Sequence, residues 1–299
     1  MAAEHERVWS VVDLLKTTSD FFARKQVDEP RLSAELLLAH LFRENRLWLY
    51  LNHERQVTRV ELASFRELCR QRLEGRPVQY ITGEQFFYGR AFAVDECVLI
   101  PRPETELLVE HVSGMLAALK EQHQDEAIRV LDVGTGSGCI AVTLAALLPY
   151  IHVAAIDCSS AALEVARGNA ERHGVQGRVD FIEADLFDPE LGSRFRHSFD
   201  LIVSNPPYIP EPEWEGLQKE IRCFEPKEAL VTSGGTATYL AICKSAPCML
   251  KSRGAISMEI HADAAPVVSG IMESEGFRGI SVFKDYSGHD RVVSGTLES

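Results

Sequence analysis

The run Arg129-Val-Leu-Asp-Val-Gly134-Thr-Gly136-Ser-Gly138-Cys-Ile140 sets the architecture of this chain. Its first residues read as a short buried strand, three alternating glycines follow, and an apolar helical pattern begins at Cys139. A strand that turns through glycines into a helix is the opening unit of an open α/β sheet. Glycine permits positive φ there and lets a ligand lie close to exposed backbone N–H groups at the carboxyl end of the strands. Further strands read at Ile151 to Asp157, Val179 to Glu183, Phe199 to Ser204 and Ala255 to Ile260, mostly separated by helical patterns such as Ser160 to His173. That alternation predicts a parallel sheet with helices on both faces. Ile280 to Asp285 and Arg291 to Leu297, joined by Tyr-Ser-Gly-His-Asp, predict an antiparallel pair that closes one sheet edge.

Upstream the grammar differs. Glu6 to about Gln26 has the apolar spacing of an amphipathic helix, Pro30 suits the first position of a second, and Thr58-Arg-Val-Glu61 is a capping box that opens a third. Aromatic and β-branched residues around Gly89-Arg90 predict a β-hairpin. The expected organisation is a helical bundle over 1–75, a hairpin linker and junction over 76–106, and the α/β domain over 107–299. Taken alone, the bundle reads as an interaction or packing module without chemistry.

With 299 residues, 45% hydrophobic and 25% charged, the composition is that of an ordinary globular chain, long enough for two cores. The net charge of −13 argues against a protein that holds nucleic acid mainly by neutralising phosphates. Residues 1–75 are balanced in charge, so the whole deficit lies beyond them. Seven scattered cysteines, none spaced C-x-x-C, suggest neither a disulfide framework nor a zinc site, and no metal is expected. Acidic residues near the N-terminus do not suit a presequence, so a cytoplasmic location is expected. Cys139 to Ile156 approaches the length of a membrane span, but Pro149, Tyr150 and His152 interrupt it, and a helix followed by a buried strand is the expected outcome. No patch visible in the sequence calls for a partner copy, which leaves a monomer as the expected state.

The glycine spacing is G-x-G-x-G, not the G-x-G-x-x-G of a dinucleotide fold, which disfavours NAD. Asp157, at the end of the second strand, can accept hydrogen bonds from two ribose hydroxyls, whether the nucleoside belongs to NAD or to S-adenosylmethionine; it can equally cap the next helix. Ser204-Asn205-Pro206-Pro207-Tyr208 follows the fourth strand directly. The Asn205 side-chain oxygen and the Pro206 carbonyl can accept both hydrogens of one planar NH₂ group, the prolines stiffen the backbone, and the Tyr208 ring can cover a flat substrate. A conjugated amino nitrogen is a poor nucleophile, so holding it in line with an electrophilic methyl is the route such a clamp offers.

These residues resemble the HemK/PrmC-type protein-(glutamine-N5) methyltransferases, which modify the glutamine of the GGQ motif in peptide chain release factors. The resemblance spans nearly the whole chain: Tyr80-Ile-Thr-Gly83-Glu, Phe87-Tyr88-Gly89, Ile100-Pro-Arg-Pro-Glu104-Thr-Glu106, Asn169-Ala170, Asn205-Pro-Pro-Tyr208, Glu225-Pro226, Asp285 and Arg291-Val-Val. Amino-methyltransferases acting on DNA share only the glycine loop and the Asn-Pro-Pro-Tyr tetrad. The chain departs from the family pattern at Gly234-Gly-Thr-Ala-Thr238 and at Glu259-Ile-His261.

The resemblance implies a Rossmann-like, seven-stranded class I methyltransferase sheet, mostly parallel with an antiparallel last strand, and a substrate-recognising role for the helical bundle. It assigns S-adenosyl-L-methionine to Gly134, Thr135, Gly136, Ser137 and Gly138 (methionine end), Asp157 (ribose), and Asp185 and Leu186 (adenine), with Asn205 close by. The glutamine amide goes to Asn205, Pro206, Pro207 and Tyr208; of these, Asn205, Pro206 and Tyr208 carry the catalysis. Arg102 and Pro103 are expected to wall the cofactor site. The implied reaction is one in-line displacement: the amide nitrogen bonds to the methyl carbon, the carbon–sulfur bond breaks, S-adenosyl-L-homocysteine leaves, and the proton departs from the positive nitrogen. No general base is visible. The partner implied is a release factor, without direct nucleic-acid or membrane contact. The rivals are an adenine-N6 methyltransferase on DNA or RNA and a non-catalytic binding protein on the same scaffold.

Overall fold

The computed structural model describes residues 8–122 and 127–298. The chain folds as two compact units, Met1–Gly83 with Gln218–Phe224, and Glu84–Leu217 with Glu225–Ser299.

The first unit is helical: Val11–Arg24, Pro30–Phe42, Arg46–Leu51, Arg59–Leu73 and Val78–Thr82. Its first helix starts later than the periodicity suggests. Trp9–Ser10 pairs with Gln56–Val57 as a short antiparallel bridge, and extended Ser10 caps the helix by accepting from the Asp13 N–H. The expected start at Glu6 lies outside the described residues. Pro30 occupies the first turn as expected, and Thr58 and Glu61 form the reciprocal capping box. The helix Arg46–Leu51, absent from the sequence reading, is capped by Asn45, whose Oδ1 accepts from the Trp48 N–H at 2.9 Å. Val11, Phe22, Leu37, Leu38, Leu49 and Phe65 form the core. Within this unit Arg72 is buried and meets Glu220 at 2.6 Å, so a segment remote in sequence is built into the bundle.

The second unit opens with a hairpin, Glu84–Phe87 against Arg90–Ala93. Tyr88 and Gly89 both have positive φ, as a two-residue turn of the type that matches strand twist requires. Seven strands follow: β1 (Ile128–Val133), β2 (Ile151–Asp157), β3 (Val179–Glu183), β4 (Phe199–Ser204), β5 (Leu250–Glu259), β6 (Phe277–Lys284) and β7 (Asp290–Leu297). Their order is β6-β7-β5-β4-β1-β2-β3, parallel except for β7, which runs against both its neighbours. The fold class expected from the sequence is therefore the one observed. β5 begins five residues before the expected Ala255, with a register irregularity between Leu250 and Ala255. The apolar run from Cys139 resolves into a helix, Cys139–Leu147, and the buried strand β2. Among the described residues no helix is long and apolar enough to cross a membrane.

The hairpin is held to the sheet domain by Asn169, fully buried in the helix Ser160–Arg172. Its Oδ1 accepts from the Ala93 N–H at 2.7 Å, and its Nδ2 donates to the carbonyls of Ala93 at 3.0 Å and Ser137 at 2.9 Å. Asn169→Ala leaves the buried Ser137 carbonyl and the half-buried Ala93 backbone groups without this partner and is expected to destabilise the protein by about 2 kcal/mol. The readout is a lower denaturant midpoint; an unchanged midpoint would show that the tether contributes nothing.

Candidate active site

The sheet's connectivity brings the candidate residues to one end of the sheet. From β1 the chain moves outward to β2 and β3 on one side and then crosses to β4 on the other, and the crevice at such a switch point is where open α/β sheets bind ligands. Val133 of β1 and Ser204 of β4 are register partners, and the Ser204 hydroxyl donates to the Val133 carbonyl at 2.7 Å. Gly134 and Asn205, the next residues of each strand, therefore leave the sheet side by side. Val133 is also in register with Ile156, and Ser204 with Met258, which brings Asp157 and Glu259 to the same edge.

In the glycine loop Gly134, Gly136 and Gly138 all have positive φ. A Cβ on Gly138 would stand 3.1 Å from that of Ala166, so this glycine serves helix packing. A Cβ on Gly134 or Gly136 would meet nothing within 4 Å, which leaves open space over their backbone. Asp157 accepts from the Gly136 N–H through Oδ2 and from the Ser159 N–H through Oδ1, each at 2.9 Å. The next helix is capped by Ser159, whose Oγ accepts from the Ala162 N–H, so Asp157 braces the glycine loop and the cap residue and is not itself the cap, and each of its carboxylate oxygens keeps lone pairs for a further donor. Thr135 turns inward and donates to Asp132 Oδ2 at 2.7 Å, while the Ser137 carbonyl is taken by Asn169. Asp185, exposed, accepts from the Phe187 N–H, and Leu186 packs partly against the core.

Asp132 is fully buried, and its Oδ1 has no hydrogen-bond partner. Burial pushes its carboxyl up to about 7, against the bonds from the Thr135 hydroxyl and the Ala141 N–H, with the nearby Asp157 charge raising it further. An acid whose folded pKa lies above its unfolded value of 3.8 stabilises the fold when protonated, and that contribution is lost as pH rises from about 4 through about 7. Asp132→Asn keeps an acceptor and removes the titration. Its stability relative to wild type, measured without ligand by denaturant unfolding, is expected to rise from pH 5 to pH 8; a constant difference would contradict the shift.

After β4 the tetrad Asn205–Tyr208 runs without regular structure until Ile209–Pro210 pairs with Val231–Thr232. The tetrad lines a cavity with Leu99, Arg102, Ala229 and Leu230. Arg102, expected at the cofactor wall, stands here, paired with the buried Glu225 at 2.6 Å; the other Glu225 oxygen accepts from the Ile100 N–H. Asn205 Nδ2 donates to Thr105 Oγ1 at 3.0 Å, Thr105 Oγ1 donates to Glu259 Oε2 at 2.7 Å, and the Tyr208 hydroxyl reaches Glu259 Oε1 at 3.3 Å. Burial and the Glu259 carboxylate push the Tyr208 hydroxyl well above its ordinary value, which keeps it a donor. Thr105, Glu225 and Glu259 have no assigned role in the sequence reading. The available signal for Glu259 is an acid at the end of an otherwise uncharged run, Ala255-Ile-Ser-Met-Glu259-Ile, where only a buried partner network tolerates it.

Against known proteins, residues 13–83 match the PrmC N-terminal domain and residues 124–273 match a methyltransferase domain. A release factor glutamine methyltransferase of Chlorobaculum tepidum is 54% identical, covering 97% of this chain and 98% of its own. Proteins of the same name from Geobacter sulfurreducens and Rhodopirellula baltica are 40% and 38% identical, over 98% and 96% of this chain and 99% and 96% of theirs. Identity of that level from end to end, through both the helical unit and the sheet domain that carries the Asn205–Tyr208 tetrad, makes this chain a member of the release factor glutamine methyltransferase family.

Proposed function

We propose that this protein transfers a methyl group from S-adenosyl-L-methionine to the side-chain amide nitrogen of the GGQ glutamine in peptide chain release factors. The observation that carries the reading is the state of Asn205: its NH₂ is committed to Thr105, which leaves its carbonyl oxygen out of that bond, and the residue lines the tetrad cavity. A substrate carboxamide presents two N–H donors, and the Asn205 oxygen with the Pro206 carbonyl offers the two acceptors it needs. Tyr208 and the two prolines line the cavity where that group would lie.

The residues at the crevice also suit the methyl donor. Open space over Gly134 and Gly136 admits a ligand against the loop, Asp157 has lone pairs for ribose hydroxyls, and Asp185 and Leu186 follow at the end of the neighbouring strand for the adenine. The unpartnered oxygen of Asp132 favours a ligand that carries positive charge, as this sulfonium and ammonium compound does. When bound, S-adenosylmethionine supplies the electrophilic methyl. The protein's own part is orientation: the clamp fixes the amide nitrogen, holds its N–H dipoles, and accepts the growing positive charge on them as the nitrogen reacts. The helical unit is the part available for recognising the release factor, and the cytoplasm is where that partner is met.

The test is transfer of labelled methyl from S-adenosylmethionine to a purified release factor, to its GGQ glutamine→alanine variant and to duplex DNA. Label on the wild-type factor alone is the expected result. Label on DNA would make the clamp an adenine site, and label on neither substrate would overturn the reading.

A further inference from the structure

We propose that Glu259 is a positioning residue for methyl transfer: acting through the Thr105 hydroxyl, it fixes which way round the Asn205 amide sits. This rests on the reading of Asn205 as the acceptor for the substrate amide.

A threonine hydroxyl has one hydrogen, and Thr105 spends it on Glu259 Oε2 at 2.7 Å. Its oxygen then has only lone pairs to offer Asn205, 3.0 Å away. Only the NH₂ end of a carboxamide can answer a lone pair, so the Asn205 oxygen must face the other way, toward the clamp. Turning the amide over would set two acceptors against each other at Thr105 and would point donors at a substrate that brings donors of its own. The second Glu259 oxygen takes the Tyr208 hydroxyl, so one carboxylate braces both ends of the tetrad. Thr105 and Glu259 are each 1% exposed, where an unmatched hydrogen bond is expensive and the preferred arrangement is correspondingly firm. Backbone register brings the group there, since Met258 pairs with Ser204 and the following residues, Glu259 and Asn205, emerge together.

The device has a pH dependence. Glu259 is faced by the Thr105 hydroxyl and the Glu104 carboxylate, by Tyr208 of the tetrad, by Arg291 of β7, by Tyr239, and by Cys139. Burial pushes its carboxyl up to about 7, against the Thr105 bond and the Arg291 charge. Once protonated, Glu259 can donate to Thr105, which frees the Thr105 hydrogen for the Asn205 oxygen and lets the amide turn over. Turnover therefore rises with pH through about 7.

The test uses the full-length protein with a release factor as substrate and saturating S-adenosylmethionine. Thr105→Val keeps shape and removes the hydroxyl; kcat is expected to fall roughly tenfold or more, by analogy with losing one preorganised polar group. Calorimetric affinity for S-adenosylmethionine stays at the wild-type value, and Thr105→Ser restores turnover. Glu259→Gln cannot ionise and loses the acid limb of the kcat profile. A Thr105→Val enzyme as fast as wild type, a Thr105→Ser enzyme as slow as Thr105→Val, or an unchanged acid limb in Glu259→Gln overturns the proposal. The last of these applies even if Thr105→Val does not fold. A fast Thr105→Val beside a slow Asn205→Ala defeats this inference alone, whereas a fast Asn205→Ala defeats the reading of the clamp on which it rests.

Discussion

Asn205→Ala is expected to lower kcat by about 10² or more, about 3 kcal/mol of transition-state stabilisation, the scale of removing one preorganised hydrogen-bonding group from an active site. The substitution removes the acceptor proposed to hold the substrate nitrogen and leaves the Thr105 oxygen without the donor 3.0 Å away. The loss belongs to turnover, because the amide is held most strongly as its nitrogen becomes positive, so kcat and kcat/KM for the release factor fall together. Single-turnover transfer of labelled methyl at saturating S-adenosylmethionine measures it. Wild-type turnover in this variant would remove Asn205 from the mechanism. Because the Asn205 side chain lies at a sheet edge and not in the packed core, far-UV circular dichroism of the variant is expected to match wild type, and this separates lost chemistry from lost folding.

Asp157→Ala acts on the other substrate. It deletes the carboxylate proposed to hold the ribose and at the same time releases the Gly136 and Ser159 N–H groups, each now bound at 2.9 Å. The first loss is that of a charge-assisted hydrogen bond; the second removes the anchor that holds Gly136 of the loop in its positive-φ conformation. Together they are expected to weaken S-adenosylmethionine binding by about 3 kcal/mol, roughly 150-fold in Kd. Calorimetric titration reads this directly, and equal affinities for wild type and variant would refute it. Asp157→Asn keeps one acceptor oxygen, so its affinity is expected to fall between the two. An Asp157→Asn protein as weak as Asp157→Ala would mean that the charge, not the hydrogen-bond geometry, carries the effect.

Sheet strands were legible because each is a short apolar run between turn signals: β2, β3 and β4 span the residues that their hydrophobicity marks, and β1 differs by one. Capping chemistry was equally local, so Pro30 and the Thr58–Glu61 box read correctly. Where non-local pairing competes with periodicity, the reading failed. Trp9 has the pattern of a helical residue and is drawn into a bridge with Val57, and the segment Gln218–Phe224, to which the sequence reading gives no place, is built into the helical unit.

The sequence alone determined the class of the chain and the chemistry within its reach: a glycine turn after a strand, an acid one strand later, and Asn-Pro-Pro-Tyr after a third. These are local features, written in residues near one another along the chain. Only the tertiary structure decided which of them meet, because register is a property of strand pairs. Pairing Val133 with Ser204 and Ser204 with Met258 puts Gly134, Asn205 and Glu259 at one edge, although 125 residues separate the first from the last. The orientation of the Asn205 amide lies wholly at that level, since it depends on the one hydrogen of Thr105 and on the carboxylate of the neighbouring strand β5 that takes it.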